Sequence, residues 1–198
     1  MTETLAAAPD HHPIGLIVDD DLKRNRLTVF FRLLLAIPQA IWLGLWSILV
    51  SIVVLVAWFA ALFTGRVPDG LHGFNARFLR AVTHLTTYLF LLADPWPPFL
   101  GDRSYPVDLR VDGAEPQSRV TVFFRLILAI PAMILVYVFR LVNQIVAFLG
   151  WFYCLFTGHM HQGMRDISLW MVRYELQTYA YLLLLTGRYP SLAGAPTA

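Results

Sequence analysis

Two long apolar blocks of one design run through this chain, each preceded by a short alternating segment and followed by a mixed polar and apolar one. The first block covers 26–65 and the second 119–158. RLTVFFRLLLAIP at 26–38 is rewritten as RVTVFFRLILAIP at 119–131, so equivalent residues differ in number by 93. Without a gap, the same offset pairs Pro13 with Pro106, Asp19 with Asp112, Trp58 with Trp151, Tyr88 with Tyr181 and Pro97 with Pro190. It also aligns LFTG at 62–65 with LFTG at 155–158. Self-similarity at a fixed offset marks one structural unit used twice, with copies at 13–97 and 106–190.

The pattern predicts the same elements in each copy. IGLIVD at 14–19 and VDLRVD at 107–112 read as short strands ending in an acidic turn, and two strands at equivalent places can pair with each other. Asn25 and Ser118 stand directly before the apolar runs as N-caps. From there to the next glycine is about 40 residues, roughly 60 Å of helix, against a hydrocarbon core of about 30 Å. Pro38 and Pro131 are therefore expected to break each run into an interfacial lead-in helix and a spanning helix, at 40–63 and 132–156. Gly65 and Gly158 suit left-handed C-caps. Second helices follow at 71–92 and 164–185, and Gly73, Arg77, Arg80, His84 and Thr87 put a polar stripe on the first of them. The expected fold class is an all-α integral membrane protein of two tandem repeats. Each repeat has a Pro-bent interfacial and transmembrane helix, a second helix that is transmembrane or amphipathic, and a short preceding β-strand.

Composition supports a bilayer setting, with 58% hydrophobic and 14% charged residues and a mean hydropathy of +0.60. A net charge of +2, with no basic stripe interleaved with aromatics, gives no reason to expect nucleic acid as a partner. Cys154 is a lone cysteine and forms no internal disulfide. The first twelve residues lack the positive start and short apolar run of a cleaved signal, so the first long helix is expected to direct insertion. The positive-inside rule favours four spans, parallel repeats and cytoplasmic termini in a bacterial plasma membrane.

The pattern RLTxFFRLxLAIP, a long apolar run ending in Trp-Phe, then LFTG and a further glycine, resembles the bacterial membrane-protein family known as domain of unknown function 4389, in two tandem copies. The resemblance covers nearly the whole chain and implies no established activity, substrate or catalytic residue. His159, Met160 and His161 replace the Arg66, Val67 and Pro68 of the first copy, which implies that the halves have specialised.

Two groups of residues invite a functional reading. Arg140, Asn143 and Gln144 share one helical face near the middle of the third span. A central Arg opposes insertion by about 2.5 to 3.5 kcal/mol, while the fourteen Leu, Ile, Val and Phe residues of that segment favour it by roughly 6 kcal/mol. The face reads either as a permeation or substrate site or as a contact between helices or with another subunit, with no carboxylate partner expected in the spans. The equivalent positions in the first copy are Ser47, Val50 and Ser51. Lys23, Arg24, Arg26, Arg32, Arg119 and Arg125 form the second group. They read as ligands for anionic lipid headgroups or as snorkelling side chains that fix depth.

The spacing of Cys154, His159 and His161 fits no zinc pattern, so no metal is expected, and no cofactor motif is present. Glycine loops that cradle phosphate, a nucleophile elbow, HExxH and paired carboxylates are missing from the sequence. The chain therefore reads as a non-catalytic scaffold or accessory subunit whose partners are the lipid bilayer and a membrane protein or a second copy of itself. The alternative is a small transporter or channel component using the third span.

Overall fold

A computed structural model describes residues 12–102 and 105–193; the segment expected to lack a cleaved signal falls, apart from His12, outside the described residues. Strands β1 (Ile14–Val18) and β2 (Val107–Val111) pair antiparallel, as their equivalent positions suggested. The first copy continues with α1 (Arg26–Thr64) and α2 (Asp69–Leu89). The second continues with α3 (Arg119–Phe123), α4 (Arg125–Thr157) and α5 (Gln162–Leu182).

The prolines do not break the long helices. Pro38 lies inside the 39 residues of α1 and Pro131 inside the 33 residues of α4. In the second copy the interruption falls at Phe124, about two turns before the proline. The proline's missing donor costs its helix one bond, but packing on both sides of it is continuous. Val29, Arg32, Ala36, Gln39, Leu43, Val50 and Ala57 are buried in α1 at steps of three, four or seven residues. A seam of that 3.5-residue period holds one face of a helix against its neighbour over its whole length, so Ala36 and Gln39 anchor the rod on either side of Pro38. Only one of the two expected caps closes a bond. Asn25 accepts from the Leu27 N–H, whereas the Ser118 side chain makes no such bond. Gly65 and Gly158 do end their helices in the left-handed region, at φ 78° and 75°.

Three layers result. Ile14, Leu16, Val107 and Leu109 of the sheet pack against Leu79 of α2 and Val172 and Leu176 of α5. The other side of α2 receives Ala36 and Leu43 of α1 through Ala81, Leu85 and Tyr88. α5 meets α4 where Phe139 stacks edge-on to Tyr174 and tilted on Trp170. The short helices are thus interior elements, each with a dozen buried residues, and neither lies against the outside as a membrane span would. Among the described residues only α1 and α4 are long and apolar enough to cross a membrane, which replaces the four expected spans with two candidates.

The two copies are related by a two-fold rotation. Leu16 pairs across the sheet with Leu109, its own repeat equivalent, and the pairs on either side are symmetric about it. The indole of Trp58 donates to the Val122 carbonyl at 2.9 Å, and that of Trp151 donates to the Val29 carbonyl at 2.9 Å. Likewise Gln117 N–H donates to Gly65 and Arg24 N–H to Gly158. The end of each long helix is therefore bonded to the start of the other copy's, and α1 and α4 run in opposite directions. The Arg-bearing starts of the two copies lie at opposite ends of the molecule, so the two long helices are antiparallel to each other.

Replacing Gly65 or Gly158 with alanine forces a Cβ into the left-handed region and is expected to cost about 1 kcal/mol at each site. The double variant should lose the sum, since the sites are remote from each other. Denaturant unfolding in detergent measures both, and unchanged midpoints would contradict the capping role.

Candidate functional site

The six basic residues expected at headgroups divide into two sets. Arg24, Arg32 and Arg125 are buried inside the protein. Lys23, Arg26 and Arg119 are exposed. Arg32 reaches back from α1 to the C-terminal end of α2. One of its nitrogens donates to the carbonyls of Tyr88 and, at 3.0 Å, Ala93, and the other meets Asp94 at 3.0 Å. Its guanidinium lies 4.3 Å from the centroid of the Tyr88 ring. Arg125 repeats this on α5, donating to the carbonyls of Tyr181 and Thr186 and to the Gln117 side chain, with Tyr181 beneath it at 4.4 Å. The last carbonyls of a helix have no partner within it, and each arginine supplies one from the neighbouring long helix.

A second donor completes each end. Leu91 and Leu184 are equivalent and adopt φ of 63° and 61°, a conformation leucine rarely takes. Arg24 Nε donates to Leu91 at 2.8 Å, and Gln117 Nε2 to Leu184 at 2.9 Å. Positions 24 and 117 are themselves equivalent. Arg24 spends its remaining donors on Asp20, at 2.6 and 2.9 Å, and on the Lys23 carbonyl. A headgroup role is accordingly withdrawn for Arg24, Arg32 and Arg125, whose guanidiniums are committed to protein acceptors. Lys23 pairs with Asp21 at the surface, and Arg26 donates to the Phe156 carbonyl at 2.9 Å.

The second group is brought together only in part. Arg140 and Gln144 line an open groove of about 470 Å³ between α1, the end of α2 and α4, together with Arg32, Leu33, Phe148 and Trp151. Arg140 has the carboxylate partner that the sequence did not offer, since Glu175 of α5 lies 3.7 Å from it. That separation is an ion pair beyond hydrogen-bond length. Tyr179 Oη is 3.4 Å from the same nitrogen. Burial pushes the Glu175 carboxyl above the usual carboxylate range, and Arg140 opposes the shift. Asn143 points elsewhere, into the seam, where it is 1% exposed and neither amide atom has a hydrogen-bond partner.

Other polar clusters are interior. His84 and Arg80 meet the same oxygen of Asp108, at 2.9 and 3.2 Å, with the Tyr105 ring 4.5 Å from His84. Cys154 is buried beside Met160 at 3.8 Å, while His159 and His161 are exposed, the latter accepting from Gly163 N–H at the start of α5. Asp94 and Gln117 escaped the sequence reading because their partners are remote in the chain or on another element, while Asp20 was missed although Arg24 is only four residues away. Tyr88 and Tyr181 were visible as a matched pair, but nothing along the chain showed what they support.

The profile of a family described as a domain of unknown function matches twice, at residues 26–101 and 119–193. The chain belongs to the DUF4389 family. The matched segments start at α1 and at α3 and end beyond the turn that the buried arginine holds, so β1 and β2 lie outside them in a chain with two DUF4389 units. No curated protein and no solved structure matches the chain.

Arg32→Leu or Arg125→Leu strips the side-chain donor from the Ala93 or Thr186 carbonyl and leaves Tyr88 or Tyr181 with its backbone donor alone, and is expected to cost about 1 to 3 kcal/mol. Unfolding in detergent reads that loss, and Arg26→Leu should change it little. Asn143→Val installs the residue of equivalent position 50, removes two unsatisfied atoms and should raise stability by about 1 to 3 kcal/mol. Glu175 has a raised folded-state pKa, so its stabilising contribution is full below about 4.5 and is lost as pH rises through the raised value. Glu175→Gln should remove that component from the pH dependence of unfolding; an unchanged profile would show that the carboxyl is not held as the geometry requires.

Proposed function

We propose that this DUF4389 protein is a non-catalytic, membrane-resident scaffold or accessory subunit, anchored by the apolar faces of α1 and α4. One observation carries the reading. Only 22% of the most apolar stretch of each long helix is buried, and large apolar side chains along its outer face are exposed. The core helix of a water-soluble domain would be mostly buried, and exposed apolar patches much above a few hundred Å² mark interaction or membrane surfaces. Leu33, Phe63, Leu126 and Phe156 are each more than 70% exposed. Lipid chains satisfy such a surface in every direction, and the carbonyl-bound arginines serve the interior of the protein rather than a reaction.

The groove beside Arg140 and Gln144 favours a second reading, a conduit or substrate site on α4. Arg140→Leu separates the two. A scaffold loses co-purifying partners or assembly, whereas a conduit loses flux while remaining assembled. Residence itself is read by alkaline carbonate extraction of membranes. The protein should stay in the pellet and require detergent for release, and its recovery as a monodisperse species without detergent would overturn the proposal.

A further inference from the structure

Residence in a membrane leaves open how the long helices are placed in it, and the two-fold symmetry narrows the choice. A two-fold rotation preserves the component of a direction along its axis and reverses the component across it. α1 and α4 run in opposite directions with each end bonded to the other's start, so their length lies across the axis. The axis passes through the Leu16–Leu109 pair, normal to the sheet, and on between the short and the long helices. If α1 and α4 crossed a bilayer, this axis would lie in the membrane plane and the sheet would sit at mid-depth. Asp19 and Asp112, bonded to the ends of the opposite strands, would be there too, beside Arg110. Exposed charges and open strand edges at that depth find no partner in hydrocarbon.

Length gives an independent argument. No charged residue occurs from Leu33 to Gly65, a stretch of about 50 Å at 1.5 Å per residue. Fitting it within about 30 Å of hydrocarbon requires a tilt of roughly 50°, beyond the range of about 0 to 40° found for membrane helices. Arg140 adds a third argument, because its side chain is half exposed near the middle of α4. A crossing helix would carry that cation to the bilayer centre.

Resting on the membrane-resident reading above, we infer that α1 and α4 do not cross: they lie side by side in the plane of one leaflet. The two-fold axis is then the membrane normal. The seams of the long helices face up to α2 and α5, and their outer faces meet acyl chains. The sheet and its acidic turns stand in water, and Arg26, Arg66 and Arg119 at the helix ends lie at headgroup level. The partner of the apolar layer is thus a single lipid leaflet, entered from one side.

Single cysteines in a Cys154→Ala background test this in sealed membrane vesicles of both orientations. Lys23→Cys and His159→Cys report one end of the molecule, Arg66→Cys and Ser118→Cys the other, and Asp112→Cys the sheet. An impermeant thiol reagent should label all five from the same side. Labelling of the first pair from one side and the second pair from the other would overturn the inference. Nitroxides at Leu34→Cys, Ile41→Cys, Ile48→Cys and Leu55→Cys, all on the exposed face, give a second readout. They should report one common depth, whereas a crossing helix would show depth rising and falling along the series. Failure of the membrane reading is distinct, since the protein would then be in the soluble fraction before any labelling.

Discussion

The rest of the structure depends on a guanidinium placed where a short helix ends inside apolar surroundings. α2 and α5 finish inside the protein, where the turn that follows each helix must find donors for its carbonyls and a buried carbonyl left unpaired is costly. Arg32 and Arg125 remove that cost from the neighbouring helix, with a tyrosine ring beneath each to shield the charge. Two acceptors are met by one planar cation, a geometry that the single ammonium of lysine does not reproduce. Each leucine forced into the left-handed region just beyond is held through its own carbonyl by Arg24 or Gln117. The hairpin of each DUF4389 unit is thus closed by polar bonds at the point where hydrophobic packing alone would leave it unsatisfied.

Those bonds also explain why the two units form one body. The donors that finish one hairpin come from the segment leading into a long helix, and that same segment is bonded to the far end of the other unit's long helix. Arg24 shows this directly: its backbone N–H reaches Gly158 while its side chain reaches Leu91. The Trp58 and Trp151 indoles fasten the long helices in the same reciprocal way. Neither unit presents a finished surface without the other, and the sheet, with one strand from each, closes the interlock on the axis.

The two halves differ most where the symmetry would permit identity. Ser47, Val50 and Ser51 face Arg140, Asn143 and Gln144 across the duplication, and Glu175 on α5 answers Arg140 in the second half alone. Gly15 and Gln177 stand where the other copy has Asp108 and His84. The architecture therefore tolerates one charged flank and one apolar flank while keeping every carbonyl-capping bond in both copies. Packing and helix termination are shared between the halves, and the polar chemistry is local to each.

The duplication, the apolar blocks, the strand positions and the glycine caps were all legible in the chain, because each is a local pattern or a repeated one. Family membership followed from the same residues. The fate of Pro38 and Pro131 was not legible, since a proline's local preference for a break is overridden by a seam whose partners lie on α2 and α5. Nor could the sequence tell a headgroup-binding arginine from a buried one: Arg26 and Arg32 occur six residues apart in the same motif, one exposed and the other sealed over Tyr88. The direction of α4 relative to α1 was decided only by tertiary structure. Similar sequences in tandem fit a parallel or a reversed arrangement equally well, and hydrogen bonds between residues more than fifty apart selected the reversed one.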